Sequence, residues 1–145
     1  MFDKNKWLHI KNINKINYQE KNFIKILKMF INCKYKWGGK TYDGIDCSAL
    51  LQLFFQFNNQ YVPRDTKDQI KFFNKKKKFL IKKNIIFWKG HVAVCINRNS
   101  LIHAYGPRKK VVIMNIKKTI NEIKKNAKLE VIRKINRNER KRTRK

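Results

Sequence analysis

Acidic residues are scarce in this 145-residue chain: nine Asp and Glu stand against 37 Lys and Arg, for a net charge of +28. So one-sided a balance attracts polyanions such as nucleic acid, anionic lipid or acidic wall polymers. It also has a compositional origin, since Lys, Asn and Ile rise together as AT-rich codons drift into exposed positions. Cysteine is rare and odd in number, with Cys33, Cys47 and Cys95. A disulfide framework is therefore a poor fit, leaving metal ligation, single-thiol chemistry or burial. No run of about 18 apolar residues occurs, which excludes a membrane-spanning helix. The opening MFDKNKWLHIKNINK has no apolar h-region, so no secretory signal is expected. That points to a cytoplasmic location, with export by another route left open. No internal repeat is visible. Glycine is sparse too, and three of the five glycines fall between positions 38 and 44.

Against these absences stands 42% hydrophobic residues, enough for one core in a chain of one-domain size. Residues 1–18 read as an irregular segment. YQEKNFIKILKMFINCKY carries Phe23, Ile24, Leu27, Phe30 and Ile31 as a helical stripe. A glycine-containing loop from about Lys36 to Asp46 leads into CSALLQLFFQF, a dense apolar run without a breaker that predicts a buried helix. Asp46 is placed to cap it. DTKDQIKFF is a short helix candidate and KKKKF a solvated link. NIIFW, HVAVCI, SLIHAY and KVVIMNI then read as consecutive antiparallel strands, rich in β-branched and aromatic residues. TINEIKKNAK predicts a polar helix and LEVIRKI a last strand. The fold class is α+β, with helices first and a meander sheet second. Residues 19–132 form the domain. Residues 133–145, with eight basic residues and one acid, form a basic tail that is expected to be disordered and to bind polyanions weakly.

Cys47 at the first turn of its helix would meet free backbone N–H groups and the positive end of the helix dipole, both of which favour thiolate. Asp46 opposes this by its charge, so an imidazole partner is wanted. His9 lies in the irregular start. His91 opens HVAVCI and His103 lies in SLIHAY, and a hairpin through NRNS would make the two imidazoles neighbours. Cys47 would then attack, His91 would exchange the proton, and His103 would hold His91 in the required tautomer. Buried packing of each residue separately is the alternative. A zinc shell from Cys33, Cys47, Cys95, His91 and His103 is another, disfavoured because no CxxC or HxxxH pair supplies a chelating corner. No metal or cofactor is expected. Cys33 and Cys95 lie in apolar stretches and read as core, as do Trp37, Trp88 and the Phe pairs.

Three blocks carry a family likeness. YKWGGKTYDGIDCSALLQ is similar to the nucleophile motif of the NlpC/P60 cysteine peptidases. FWKGHVAVCINRNSLIHAYG resembles that family's histidine block, and VPRDTKDQ a connecting Pro-Arg-x-Ser/Thr-x-x-Gln segment. The resemblance implies a papain-like core, the cysteine on a helix packed against an antiparallel sheet that carries both histidines. It implies hydrolysis of peptidoglycan stem peptides or muropeptides, at the bond between γ-D-glutamate and a diamino acid. By it, Cys47 is nucleophile, His91 base and His103 the orienting third residue. Tyr35 serves the oxyanion or substrate side, while Asp46, Ser48 and Thr66 bind the substrate's amino-terminal portion. Arg64 is open between a structural role and pairing with Asp46 or Asp65. Two departures are Ala49, where the family commonly has Gly, and Lys83-Asn84, where it tends to have Gly-Asp. The chain is expected to act as a monomer. A non-catalytic polyanion-binding module on the same fold is the competing function, although no RRM, KH or zinc-finger signature supports it. The same cysteine and histidine could also serve amidase or transglutaminase chemistry.

Overall fold

A computed structural model describes residues 15, 18–75 and 85–135. Five strands form one antiparallel sheet in the order β6-β5-β4-β3-β7, with ranges β3 Ile85–Trp88, β4 His91–Cys95, β5 Ser100–Tyr105, β6 Lys110–Asn115 and β7 Arg133–Ile135. The four predicted strands β3 to β6 follow one another as a meander. The last strand does not extend it at β6 but pairs with β3 at the opposite edge. Helix α4 (Ile116–Ala127) makes the connection, entered through Asn115, whose side chain accepts from Lys118 N–H. Three residues counted with the basic tail, Arg133–Ile135, thus belong to the sheet.

The sheet is covered on both faces, which is why IIFW is buried at every position. Ile85, Phe87, Val92, Val94, Ile102 and Ala104 pack against the helices that precede the sheet in sequence. Ile86, Trp88, Ala93, Cys95, Leu101 and Tyr105 pack with Ile123 of α4. The period-two alternation of side chains produces this division. Helix α2 (Cys47–Phe57) coincides with the predicted apolar run, and seven of its residues are buried, as suits a helix embedded in a core. Helix α3 (Thr66–Lys75) matches the short helix candidate.

Helix α1 is shorter than its apolar stripe suggests, spanning Phe23–Lys28. Asn32 turns the chain with φ 66°, a left-handed conformation that asparagine tolerates. This stretch exchanges backbone hydrogen bonds with β6 and the residue just before it: Asn32 N–H to Val111 O, Val111 N–H to Cys33 O and Tyr35 N–H to Lys109 O. Backbone pairing at the sheet edge therefore overrides the helical stripe. The expected loop before α2 contains a two-stranded ribbon, β1 (Lys40–Thr41) with β2 (Gly44–Ile45). The N-terminal segment with His9, nearly all of the lysine-rich link, Lys83-Asn84 and the chain beyond Ile135 lie outside the described residues.

Candidate active site

Cys47 is the first residue of α2, and Asp46 is the cap that starts the helix. Asp46 Oδ1 accepts from Ala49 N–H at 2.9 Å, from Ser48 Oγ at 3.1 Å and from Arg64 Nη1 at 3.0 Å. Its Oδ2 accepts from Gly38 N–H at 2.9 Å and pairs with Arg64 Nη2. Arg64 Nη1 also donates to Ser48 Oγ at 2.7 Å. Burial by itself would push the Asp46 carboxyl up. The hydrogen bonds from Arg64, Ala49 and Ser48, with the Arg64 charge, outweigh burial and hold it below the ordinary carboxylate value.

The Cys47 thiol is pushed up, first by burial and then by the Asp46 charge, while backbone N–H groups of Val92, Ser48 and Cys47 itself work in the opposite sense. The resting group is therefore a thiol. Its sulfur faces Val92 N–H, one residue beyond His91. Among the described residues no hydrogen bond joins the Cys47 sulfur to the His91 ring.

The hairpin of β4 and β5 forms as expected and places His91 Nε2 2.9 Å from His103 Nδ1. His103 is 1% exposed and stacks on Tyr105 with centroids 4.5 Å apart and planes at 14°. Burial pushes the His91 imidazole down to about 4. His103 is pushed down to about 3, by burial and by His91. Both are neutral at physiological pH. His103 Nε2 contacts Met114 Sδ at 3.3 Å.

A cleft of about 400 Å³ opens over this region, lined among others by Tyr35, Trp37, Asp46, Cys47, Ser48, Arg64, Thr66 and Gly90. The structure thus brings five sequence-predicted residues, Tyr35, Asp46, Cys47, Ser48 and Thr66, to one cavity. Of the two predicted histidines, neither lines this cavity; His91 is the chain neighbour of the lining residue Gly90, and His103 is in contact with His91. The Tyr35 phenol is pushed up by burial and by proximity to Cys47 and Asp46. Among the described residues no group of three His, Cys, Asp or Glu is placed to hold a metal ion. Cys33 and Cys95 are buried in clusters on opposite faces of the sheet.

Residues 32–129 match the model of the NlpC/P60 family. The chain belongs to the NlpC/P60 family. It is 30% identical over 107 residues to dipeptidyl-peptidase 6 of Lysinibacillus sphaericus, covering 70% of this chain and 39% of that protein. Over 89 residues it is 33% identical to a probable endopeptidase NlpC homolog of Haemophilus influenzae, covering 59% of this chain and 49% of the relative. The chain thus spans less than half the length of these curated relatives. A crystal structure of an NlpC/P60 family protein from Bacillus cereus superposes with TM-score 0.54 and 28% identity, over 66% of this chain and 34% of that one. The Mycobacterium tuberculosis peptidoglycan hydrolase RipB shares the fold at TM-score 0.55 and 21% identity, over 66% of this chain and 57% of RipB.

Within this NlpC/P60 domain several residues take places that sequence patterns did not assign. Arg64, left open, is the ion-pair partner of Asp46. Five donors occupy the Asp46 carboxylate, which offers about four lone-pair sites. Trp37, expected in the core, is 86% exposed at the cleft. It stands at the tip of a turn closed by Gly39 N–H to Lys36 O, with Gly38 at φ 74° in the position that needs a left-handed residue. Gln69, the last residue of the VPRDTKDQ block, is fully buried and donates to Ser48 O and Pro63 O, both at 3.0 Å, tying α3 to the start of α2. Met114 carried no signal of its own beyond its place in an apolar strand.

Proposed function

We propose that this chain is a cysteine peptidase domain that hydrolyses peptidoglycan stem peptides or muropeptides at the bond between γ-D-glutamate and a diamino acid. The observation that carries the reading is Cys47 at a helix N-terminus in a cleft lined by Gly90, next to a half-buried His91 that contacts the buried His103. Family membership supports hydrolase chemistry on wall peptides.

In this mechanism the substrate carbonyl sits over Cys47. His91, neutral because burial lowers its affinity for protons, takes the thiol proton as sulfur attacks the carbonyl carbon. His91 Nε2 is engaged with His103, so Nδ1 is the nitrogen that receives the proton. Val92 N–H steadies the sulfur's charge, and the Cys47 N–H with the Tyr35 hydroxyl faces the developing oxyanion. His91 then protonates the leaving amine as the C–N bond breaks, giving a thioester. Water, deprotonated by His91, attacks that thioester and releases the acid and the thiol. The Cys47–His91 hydrogen bond missing from the resting site is one that forms with substrate, since such bonds often tighten only in the complex. The test is incubation with L-Ala-γ-D-Glu-diaminopimelate and detection of the released dipeptide. Cleavage by the natural chain and none by Cys47→Ala is expected; no cleavage, or equal cleavage by both, refutes the proposal.

A further inference from the structure

The two ring nitrogens of His103 meet different chemistry. Nδ1 lies 2.9 Å from His91 Nε2, and Nε2 lies 3.3 Å from Met114 Sδ. A thioether sulfur has no proton to give and acts only as a weak acceptor. At 1% exposure, His103 must find its partners inside the protein. An Nε2–H satisfies the sulfur contact, whereas a bare Nε2 would set lone pair against lone pair.

The neutral ring has one proton, so placing it on Nε2 leaves Nδ1 bare. A bare Nδ1 on His103 accepts from His91 Nε2–H. His91 is then bare at its own Nδ1, the state a base toward Cys47 requires. The opposite relay, with His103 Nδ1 as donor, would leave His91 protonated on Nδ1 and unable to take the thiol proton. Burial keeps both rings neutral, so the choice between the two relays is a choice of tautomer.

We propose that Met114 is a positioning residue whose thioether selects the Nε2–H tautomer of His103 and, through it, the base-competent tautomer of His91. Its catalytic consequence rests on the peptidase reading; the tautomers themselves do not. The strand register supplies the placement. Val112 lies opposite His103 and Met114 opposite Leu101, so Met114 is the diagonal neighbour of His103 on the same face. A long unbranched side chain reaches across that diagonal. Tyr105, stacked on the His103 ring itself, fixes the plane in which Nε2 points.

The test is ¹⁵N NMR of the histidine rings in the full chain at neutral pH, with His9→Gln removing the third set of signals. The natural residue at 114 should give protonated Nε2 and bare Nδ1 on both His91 and His103. Met114→Leu keeps bulk and removes the acceptor. It should move proton character onto His91 Nδ1 and lower kcat/KM about two- to tenfold, the equilibrium factor of one net hydrogen bond. Met114→Glu, an acceptor when ionised, should restore the Nε2–H signature. A bare His103 Nε2 in the natural chain, or ring shifts unmoved in Met114→Leu, overturns the proposal without a variant having to be active. If the tautomers behave as stated while the natural chain cleaves no stem peptide, the peptidase reading fails and the tautomer assignment stands.

Discussion

Asp46 began as a helix cap and proves to be the residue around which the site is tied together. Removing it strips Ala49 N–H of its cap and leaves Arg64, whose side chain is 25% exposed, without its ion partner. Asp46→Ala should therefore cost about 2–4 kcal/mol in urea unfolding, the range between a lost cap and a broken buried pair. Because Arg64 serves the same carboxylate, Asp46→Ala and Arg64→Ala should be strongly non-additive in a double-mutant cycle. Additive losses would show that the two act separately. The histidines make a second prediction. Their folded-state affinities for protons lie below that of an exposed imidazole, near 6.5. Between about 6.5 and about 4 the unfolded chain binds more protons than the folded one. Stability from the neutral pair is thus fully present above about 6.5 and is lost as pH falls through the folded values. The urea midpoint should drop from pH 7.5 to 4.5, less so in His103→Asn. The acid limb of kcat/KM should likewise fall near 4 and not near 6.5.

At the scale of elements, the segment between Tyr35 and Asp46 decides whether α2 starts where the cleft needs it. Its glycines have distinct tasks. Gly38 adopts φ 74° and aims its N–H at Asp46, so Gly38→Ala should cost about 1–2 kcal/mol for the left-handed conformation. Gly39 has no such φ, but a Cβ there would lie 2.3 Å from Gly44 O. Gly39→Ala must push the ribbon away from the turn and should be the more damaging change, to unfolding midpoint and to cleavage alike. Equal effects would mean that the close approach is relieved cheaply. Sequence pattern located α2, α3, α4 and the four strands of the meander, elements set by a local period or a dense apolar run. Where pairing partners come from far along the chain, pattern misled. Phe30 and Ile31 continue a helical stripe, yet Asn32 and Cys33 bond to Val111, nearly 80 positions away.

For the whole molecule, charge and fold are separable. The site lies among the least basic stretches of the sequence, so polyanion binding, set by net charge and not by the cleft, should be weak and non-specific. Binding to DNA or to an anionic wall polymer, measured over a salt titration, should fade steeply between low and physiological ionic strength. Truncation after Ile135 removes six basic residues and one acid, and should lower the salt slope while leaving β7 and cleavage intact. Retention at physiological salt with sequence preference would instead favour a binding module.

By itself the sequence determined the identity of the helix that carries Cys47, the strands that carry His91 and His103, and the family they belong to. Those features are local: an apolar run, a cap, alternating strands, short motifs. Tertiary structure alone decided that Arg64 fills the Asp46 carboxylate, that Trp37 stands outside the core, that β7 closes the edge beside β3, and that Met114 touches His103. Each of these depends on which side chains a register or a turn brings together across the chain, and no one-dimensional pattern encodes that proximity.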